Sequence, residues 1–256
     1  AAAFGDEVFR AEDVTLPRAG GGFAVDHVTL SVRQGEIVGL YGLMGAGRTE
    51  CLECVMAQHA ASGGRMFVEG EPLTERDVAG RIARGIALIP EDRKRDGLVQ
   101  IMAIRENLTL SSLGQFTRAF HLDLKAEAAK AMDFVKRLTI KIASPENPVS
   151  SLSGGNQQKV VIGKALMTSP KILLMDEPSR GIDIGAKAEV FRTMRDLAAQ
   201  GLGILFVTSD LDEVMALSDR ILVMANGRIS GAFPAGTDAA TVIAAATPHS
   251  RKDQAA

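Results

Sequence analysis

The sequence predicts an α/β fold: a mostly parallel sheet with helices on both faces, an antiparallel β part near the N-terminus, and a helical lobe inserted between strands. Three patterns carry that reading. Short apolar runs at 36–41, 85–90, 172–175, 204–207 and 221–224 alternate with helical stretches, as expected of parallel strands buried on both faces. Residues 14–32 read as β segments broken by Gly20, Gly21 and Gly22. From about Gly97 to Leu152 the period becomes helical.

The elements follow in chain order. Glu36-Ile37-Val38-Gly39-Leu40-Tyr41 is a buried strand running straight into Gly42-Leu43-Met44-Gly45-Ala46-Gly47-Arg48-Thr49. A helix starting near Thr49 should carry Leu52, Val55 and Met56 inward. Residues 65–70 look like hairpin material, and 85–90 form another strand. In the lobe, Ile104-Arg105-Glu106-Asn107-Leu108 and the Ala-rich 124–138 are helical, and further helices are expected over 156–167 and 187–199. Asn226-Gly227 is a strong hairpin turn pair. After Phe233 the pattern weakens, and 249–256 is expected to fray. The chain thus divides into a core of 8–96 and 159–233, a helical subdomain of 97–158 and a tail of 234–256.

With 256 residues, 46% hydrophobic and 23% charged, the chain can bury one good core and is neither disordered nor fibrous. A net charge of −2 provides no basic field for nucleic acid. No apolar run approaches the roughly 18 residues that span a bilayer, so service to a membrane would run through a partner. The N-terminus has no charged-then-apolar secretory pattern and no initiating Met, as expected of part of something longer. Cys51 and Cys54 form a C-x-x-C without further metal ligands or a preceding redox strand. Three apart on one helix, they read as packing residues in a reducing compartment.

Three motifs carry chemistry. Gly42 to Thr49 fits G-x-x-x-x-G-K-[ST] at every fixed position but one, with Arg48 in place of Lys. Gly42, Gly45 and Gly47 let successive N–H groups curl around phosphates, and Ala46 and Glu50 complete the stretch. Arg48 keeps the cation as a bulkier planar fork, and Thr49 offers a hydroxyl to Mg²⁺. The second motif, Leu152-Ser153-Gly154-Gly155-Asn156-Gln157-Gln158-Lys159, opens a helix whose bare N-terminus suits a phosphate. The third, Ile172-Leu173-Leu174-Met175-Asp176-Glu177-Pro178, is an apolar strand ending in paired carboxylates that can hold Mg²⁺ and polarise a water.

In this order the motifs resemble those of an ABC-type ATPase, a P-loop NTPase with a RecA-like core. The wording Gly-Leu-Met-Gly-Ala-Gly-Arg-Thr-Glu, Glu91-Asp92-Arg93-Lys94-Arg95-Asp96-Gly97-Leu98 and Leu-Ser-Gly-Gly-Asn-Gln-Gln-Lys narrows the likeness. It is similar to the C-terminal ATPase half of the fused ATP-binding subunit of bacterial monosaccharide (ribose, galactose or xylose type) importers, from about Val8 to Phe233. The resemblance implies that Thr49 and Asp176 ligate Mg²⁺ and that Glu177 is the general base. It implies that Ser153, Gly154 and Gly155 clasp the γ-phosphate of ATP held by an opposing domain, with Asp183 contacting that partner. Glu91 stands where the family usually has a catalytic, Mg²⁺-ligating Gln, and Ser209 where it has His. Arg93, Lys94 and Arg95 either offset the charge of Glu91 or form a solvated run. His27, His59, His121 and His249 do not replace the missing imidazole by position. Phe23 is the nearest aromatic for stacking on adenine, yet its strand-like surroundings suggest core.

The function so implied is ATP binding and hydrolysis that energises monosaccharide uptake, with a weakened own site and an intact signature acting in trans. The expected partners are a second ABC ATPase domain arranged head to tail, integral membrane permease subunits and, indirectly, a sugar-binding protein. The expected place is the cytoplasmic face of the bacterial inner membrane. A non-catalytic module that dimerises on nucleotide is the rival reading. An ABC-type ATPase acting on DNA or ribosomes fits poorly, because a lobe of only about fifty residues leaves no room for the long coiled coil of DNA-acting relatives and no basic stripe appears.

Overall fold

The computed structural model describes residues 4–118 and 121–247. Strands β1 (Glu7–Pro17) and β2 (Phe23–Arg33) bury alternate residues and pair antiparallel around the glycine turn. The β1 strand begins well before residue 14, where the apolar alternation becomes obvious. β3 (Ile37–Gly42) is buried along its whole length and leads through a tight loop into α1 (Arg48–Val55). β4 (Gly63–Val68) and β5 (Glu71–Pro72) form a hairpin that extends the first sheet to the order β2-β1-β4-β5. α2 (Val78–Ala83) then precedes β6 (Ile86–Ile89).

A π-helical turn, Arg93–Gly97, opens the inserted lobe, followed by α3 (Ile104–Thr109) and a 3-10 stretch over Leu110–Phe116. The lobe is not purely helical: β7 (Thr117–Arg118) and β8 (His121–Leu122) form a small ribbon before α4 (Leu124–Arg137) and α5 (Gly154–Leu166). Ribbons this short carry no periodicity, so nothing in the helical pattern announces them. Asn107, fully buried, ties the start of the lobe together: its side chain accepts from the Val99 N–H and donates to the carbonyls of Val99, Met102 and Ala103.

The chain returns through β9 (Ile172–Asp176), α6 (Ile184–Ala199), β10 (Gly203–Thr208), α7 (Leu211–Leu217), β11 (Arg220–Ala225) and β12 (Arg228–Pro234). The second sheet has the order β12-β11-β3-β10-β9-β6, parallel except for the edge strand β12. Asn226 (φ 50) and Gly227 (φ 81) make the turn into β12, as a two-residue hairpin requires. Beyond Pro234 lies α8 (Ala239–Ala246), capped by Asp238 and packed through Val242 and Ala246. Residues 249–256 lie outside the described residues.

Alternate residues of β3 split the core in two. Ile37 and Tyr41 face a cluster built with α3 to α8, whereas Val38 and Leu40 face one built with α1, β1, β2 and β4. Helices therefore cover one face fully. The other is covered by α1 and the antiparallel sheet, so helices lie on both faces and share the second with strands. The cause is the period-two burial of β1 and β2, which gives that sheet an apolar side of its own to hide. Among the described residues no helix is long and apolar enough to cross a membrane.

Candidate functional site

The loop between β3 and α1 is held by contacts that only glycine permits. A Cβ on Gly42 would lie 2.5 Å from the Met224 carbonyl oxygen, and one on Gly47 (φ 99) 2.3 Å from the Ala24 carbonyl oxygen. Gly45 (φ 77) instead faces open space. The Gly227 N–H donates to the Ala46 carbonyl at 2.9 Å, so the β11–β12 turn props the loop from behind. The open side is a cleft of about 530 Å³ lined by Met44 to Glu50 together with Glu91, Glu177, Arg180 and Ser209.

Glu177 follows β9 with φ 42, a left-handed conformation unusual for a side chain of this kind. Its N–H donates to the Val207 carbonyl at 3.0 Å, and Oε1 accepts from the Ser209 N–H at 2.9 Å. The Thr208 hydroxyl reaches Oε2 at 3.3 Å. Ser209 therefore meets Glu177 through its backbone N–H. Arg48 Nη1 stands 3.2 Å from Glu177 Oε1, a charge contact without hydrogen-bond geometry.

Asp176, the last residue of β9, is buried, and its Oδ1 has no hydrogen-bond partner among the described residues. Burial pushes its carboxyl up to about 6, against the opposing pull of a hydrogen bond from Thr49 and the charge of Arg48. Arg48 Nη1 is likewise buried without a hydrogen-bond partner. An orphaned cationic donor at the start of α1 and an orphaned acidic acceptor at the end of β9 are the fit expected of an anion with a divalent cation attached. Among the described residues no group of three or more His, Cys, Asp or Glu is placed to hold a metal. The hard oxygens of Thr49 and Asp176 suit Mg²⁺, which takes few protein ligands and completes its shell with phosphate and water.

Glu91 lines the same cleft and pairs with Arg180, whose side chain comes from the loop after Glu177. Arg93 does not serve Glu91; it turns inward and donates to the carbonyls of Arg180 and Gly181. Arg95 pairs with its neighbour Asp96 at the surface. The sequence reading missed Glu213, buried on α7, which accepts from Thr208 and Ser179 and pairs with Lys187 at 2.7 Å. No local motif announces Glu213, because its partners come from three other segments.

None of Ser153, Gly154, Gly155 and Asp183 lines the cleft. Ser153 is exposed at the N-terminus of α5; its hydroxyl accepts from Asn156 Nδ2 at 3.1 Å and caps no helix N–H. Asp183 is exposed and caps α6 through the Ala186 N–H at 2.9 Å, beside Ile184, which is 88% exposed. Phe23 is a correction: it is 38% exposed at the start of β2 and edge-on to His27, because the strand has only just left the hairpin turn. Cys51 and Cys54 are buried and unbridged, and burial pushes both thiols up to about 12, consistent with packing. His27 and His59 pair with Asp13 and Glu53, away from the cleft.

A family model described as ABC transporter matches residues 25–180. A xylose import ATP-binding protein of Ralstonia nicotianae is 45% identical over 86% of this chain and 43% of its own length. A ribose import ATP-binding protein of Rhodopirellula baltica is 45% identical over 88% of this chain and 45% of its own length. The chain therefore spans somewhat under half the length of these curated relatives. Among solved structures, a nucleotide-free ATP-binding cassette from an ABC transporter superposes with a TM-score of 0.77 at 25% identity, covering 93% of this chain and 95% of that one. A dimeric bacterial ABC transporter cassette gives 0.76 at 21% identity over 90% of this chain and all of its own, a likeness of fold.

Proposed function

The chain belongs to the ABC transporter family, and on that premise we propose that it is an ATP-binding and ATP-hydrolysing domain that energises monosaccharide uptake through a membrane importer. The names of the xylose and ribose import relatives support the substrate class. The proposed setting is peripheral, on the cytoplasmic face of the bacterial inner membrane. The proposed partners are a second ABC ATPase domain, membrane permease subunits and, through them, a sugar-binding protein.

In this reading the two clefts of a head-to-tail pair are unequal. Gly42 to Glu50 cradle the phosphates of ATP, with Arg48 on the terminal phosphates. Thr49 and Asp176 would hold Mg²⁺, which neutralises developing charge when bound. Glu177 is the candidate base for the attacking water, held in place by the Ser209 N–H. Arg48 stands against that same carboxylate and competes with the attacking water for Oε1, so this cleft binds nucleotide and turns it over slowly. Glu91, in place of an amide, adds negative charge near the polyphosphate, and Ser209, in place of imidazole, lacks its reach and switchable proton. Ser153, Gly154, Gly155 and Asp183 act on nucleotide in the partner's phosphate loop.

The observation that carries this reading is the separation of the exposed Ser153 tip from this chain's own cleft. The test assembles the domain with a competent partner ATPase domain and measures Mg²⁺-ATP turnover. Ser153→Arg should abolish more activity than Glu177→Gln. The reverse ranking refutes the unequal arrangement, and no turnover above that of Glu177→Gln in any combination favours a non-catalytic module that only dimerises.

A further inference from the structure

Arg93 sits two residues beyond Glu91, within a run of charges that reads as solvent-facing, yet it is only 8% exposed. Its Nη1 donates to the Arg180 carbonyl at 2.6 Å and its Nη2 to the Gly181 carbonyl at 2.8 Å. Gly181, at φ 66, lets both carbonyls turn to the same side. A Cβ on Gly154 would lie 2.8 Å from Arg93 Nη2 and 3.1 Å from the Gly181 oxygen, so the guanidinium is pressed against the first residue of α5. Glu91 meanwhile grips the Arg180 side chain. At the far end of the same π-helical turn, Lys164 of α5 donates to the Gly97 carbonyl at 2.6 Å.

One short segment is therefore tied at one end to the loop before Asp183 and at both ends to the helix that Ser153 opens. We propose that Arg93 is a positioning residue for hydrolysis at the partner's phosphate loop, holding the Ser153 tip and the Asp183 loop in fixed register. The proposal rests on the in-trans reading above. The chemistry explains why arginine is needed: a planar fork satisfies two adjacent carbonyls at once, whereas an ammonium can meet one of them strongly. Without the fork the loop and the helix tip lose their common reference. Errors of about 1 Å in such placement cost on the order of a hundredfold in rate.

The test uses the domain assembled with a competent partner ATPase domain. Arg93→Gln is expected to lower kcat by about ten- to a hundredfold, with KM for ATP changed by less than about twofold. Arg93→Lys should recover part of that loss. Binding of a fluorescent ATP analogue to this domain's own cleft, and the melting temperature of Arg93→Lys, should stay close to wild type. Wild-type kcat in Arg93→Gln while Ser153→Arg abolishes turnover overturns the proposal and leaves the in-trans reading standing. Loss of kcat in step with lost analogue binding and lowered melting temperature also overturns it, since that marks a merely structural role. Where Arg93→Gln fails to fold, wild-type kcat in Arg93→Lys overturns it alone. Full turnover in Ser153→Arg removes the in-trans reading and the proposal with it.

Discussion

Arg48 Nη1 lies 3.2 Å from Glu177 Oε1, so the cation of the phosphate loop and the candidate base neutralise each other across the cleft. The same oxygen accepts from the Ser209 N–H at 2.9 Å, which holds it facing Arg48. An ammonium at position 48 would present a compact charge and lack the planar reach of the guanidinium.

Arg48→Lys is therefore expected to raise hydrolysis at this cleft by about fivefold, equivalent to roughly 1 kcal/mol of barrier. The measurement is Mg²⁺-ATP turnover in an assembly whose partner carries a disabled base. An unchanged or lower rate would show that the pairing does not limit this cleft.

Asp176 predicts a pH dependence of the ligand-free fold. Its carboxyl is raised from 3.8 to about 6, chiefly by burial. The folded state therefore binds more protons than the unfolded state between those values, and stability falls as pH rises through that window. Asp176→Asn should remove this slope and stabilise the ligand-free protein at pH 7 by on the order of 2–3 kcal/mol. Denaturant melts at pH 4.5 and pH 7 check it; a wild-type protein no less stable at pH 7, with no gain in the variant, contradicts the burial argument.

How much of this was legible beforehand differs from element to element. The strands 172–176 and 203–208 were readable because continuous apolar runs bounded by glycine, proline or charge have few other homes. The phosphate loop was readable because glycine spacing reflects a local backbone demand. The Arg93 fork was not, since it meets carbonyls 87 and 88 residues away and looks, in sequence, like one charge among several. The α8 helix was missed for a different reason. Its Ala-rich run has no strong polar face, although Asp238 three residues before Thr241 is a readable cap.

Gly155 offers a test of helix approach. A Cβ there would lie 2.5 Å from Ala186 Cβ, so α5 and α6 touch at this point. Gly155→Ala should destabilise the domain by about 1–3 kcal/mol and lower turnover at the partner's loop. Adding Ala186→Gly should restore part of both, in thermal melts and in the ATPase assay. Equal damage with and without the second change would show that the clash is not the cause.

In the lobe, Arg105 Nη1 meets the buried Glu127 carboxylate at 2.6 Å, and Thr109 donates to the other oxygen at 2.6 Å. Arg105→Met strands that charge and should cost about 3–5 kcal/mol. Arg105→Met with Glu127→Leu should recover much of it, because an apolar pair of similar volume leaves nothing unpaired. Urea denaturation of the two variants distinguishes this from a simple loss of contacts.

The strand order has a bearing on how the protein is made. β3 delivers the phosphate loop, yet both of its neighbours, β10 and β11, belong to the last quarter of the chain, and Gly227 supplies the prop behind Ala46. A ribosome releasing the chain from its N-terminus therefore emits the nucleotide cradle long before its strand neighbours and the Gly227 prop exist. Until β10 and β11 emerge, the central strand travels with two open edges, a stage exposed to mispairing.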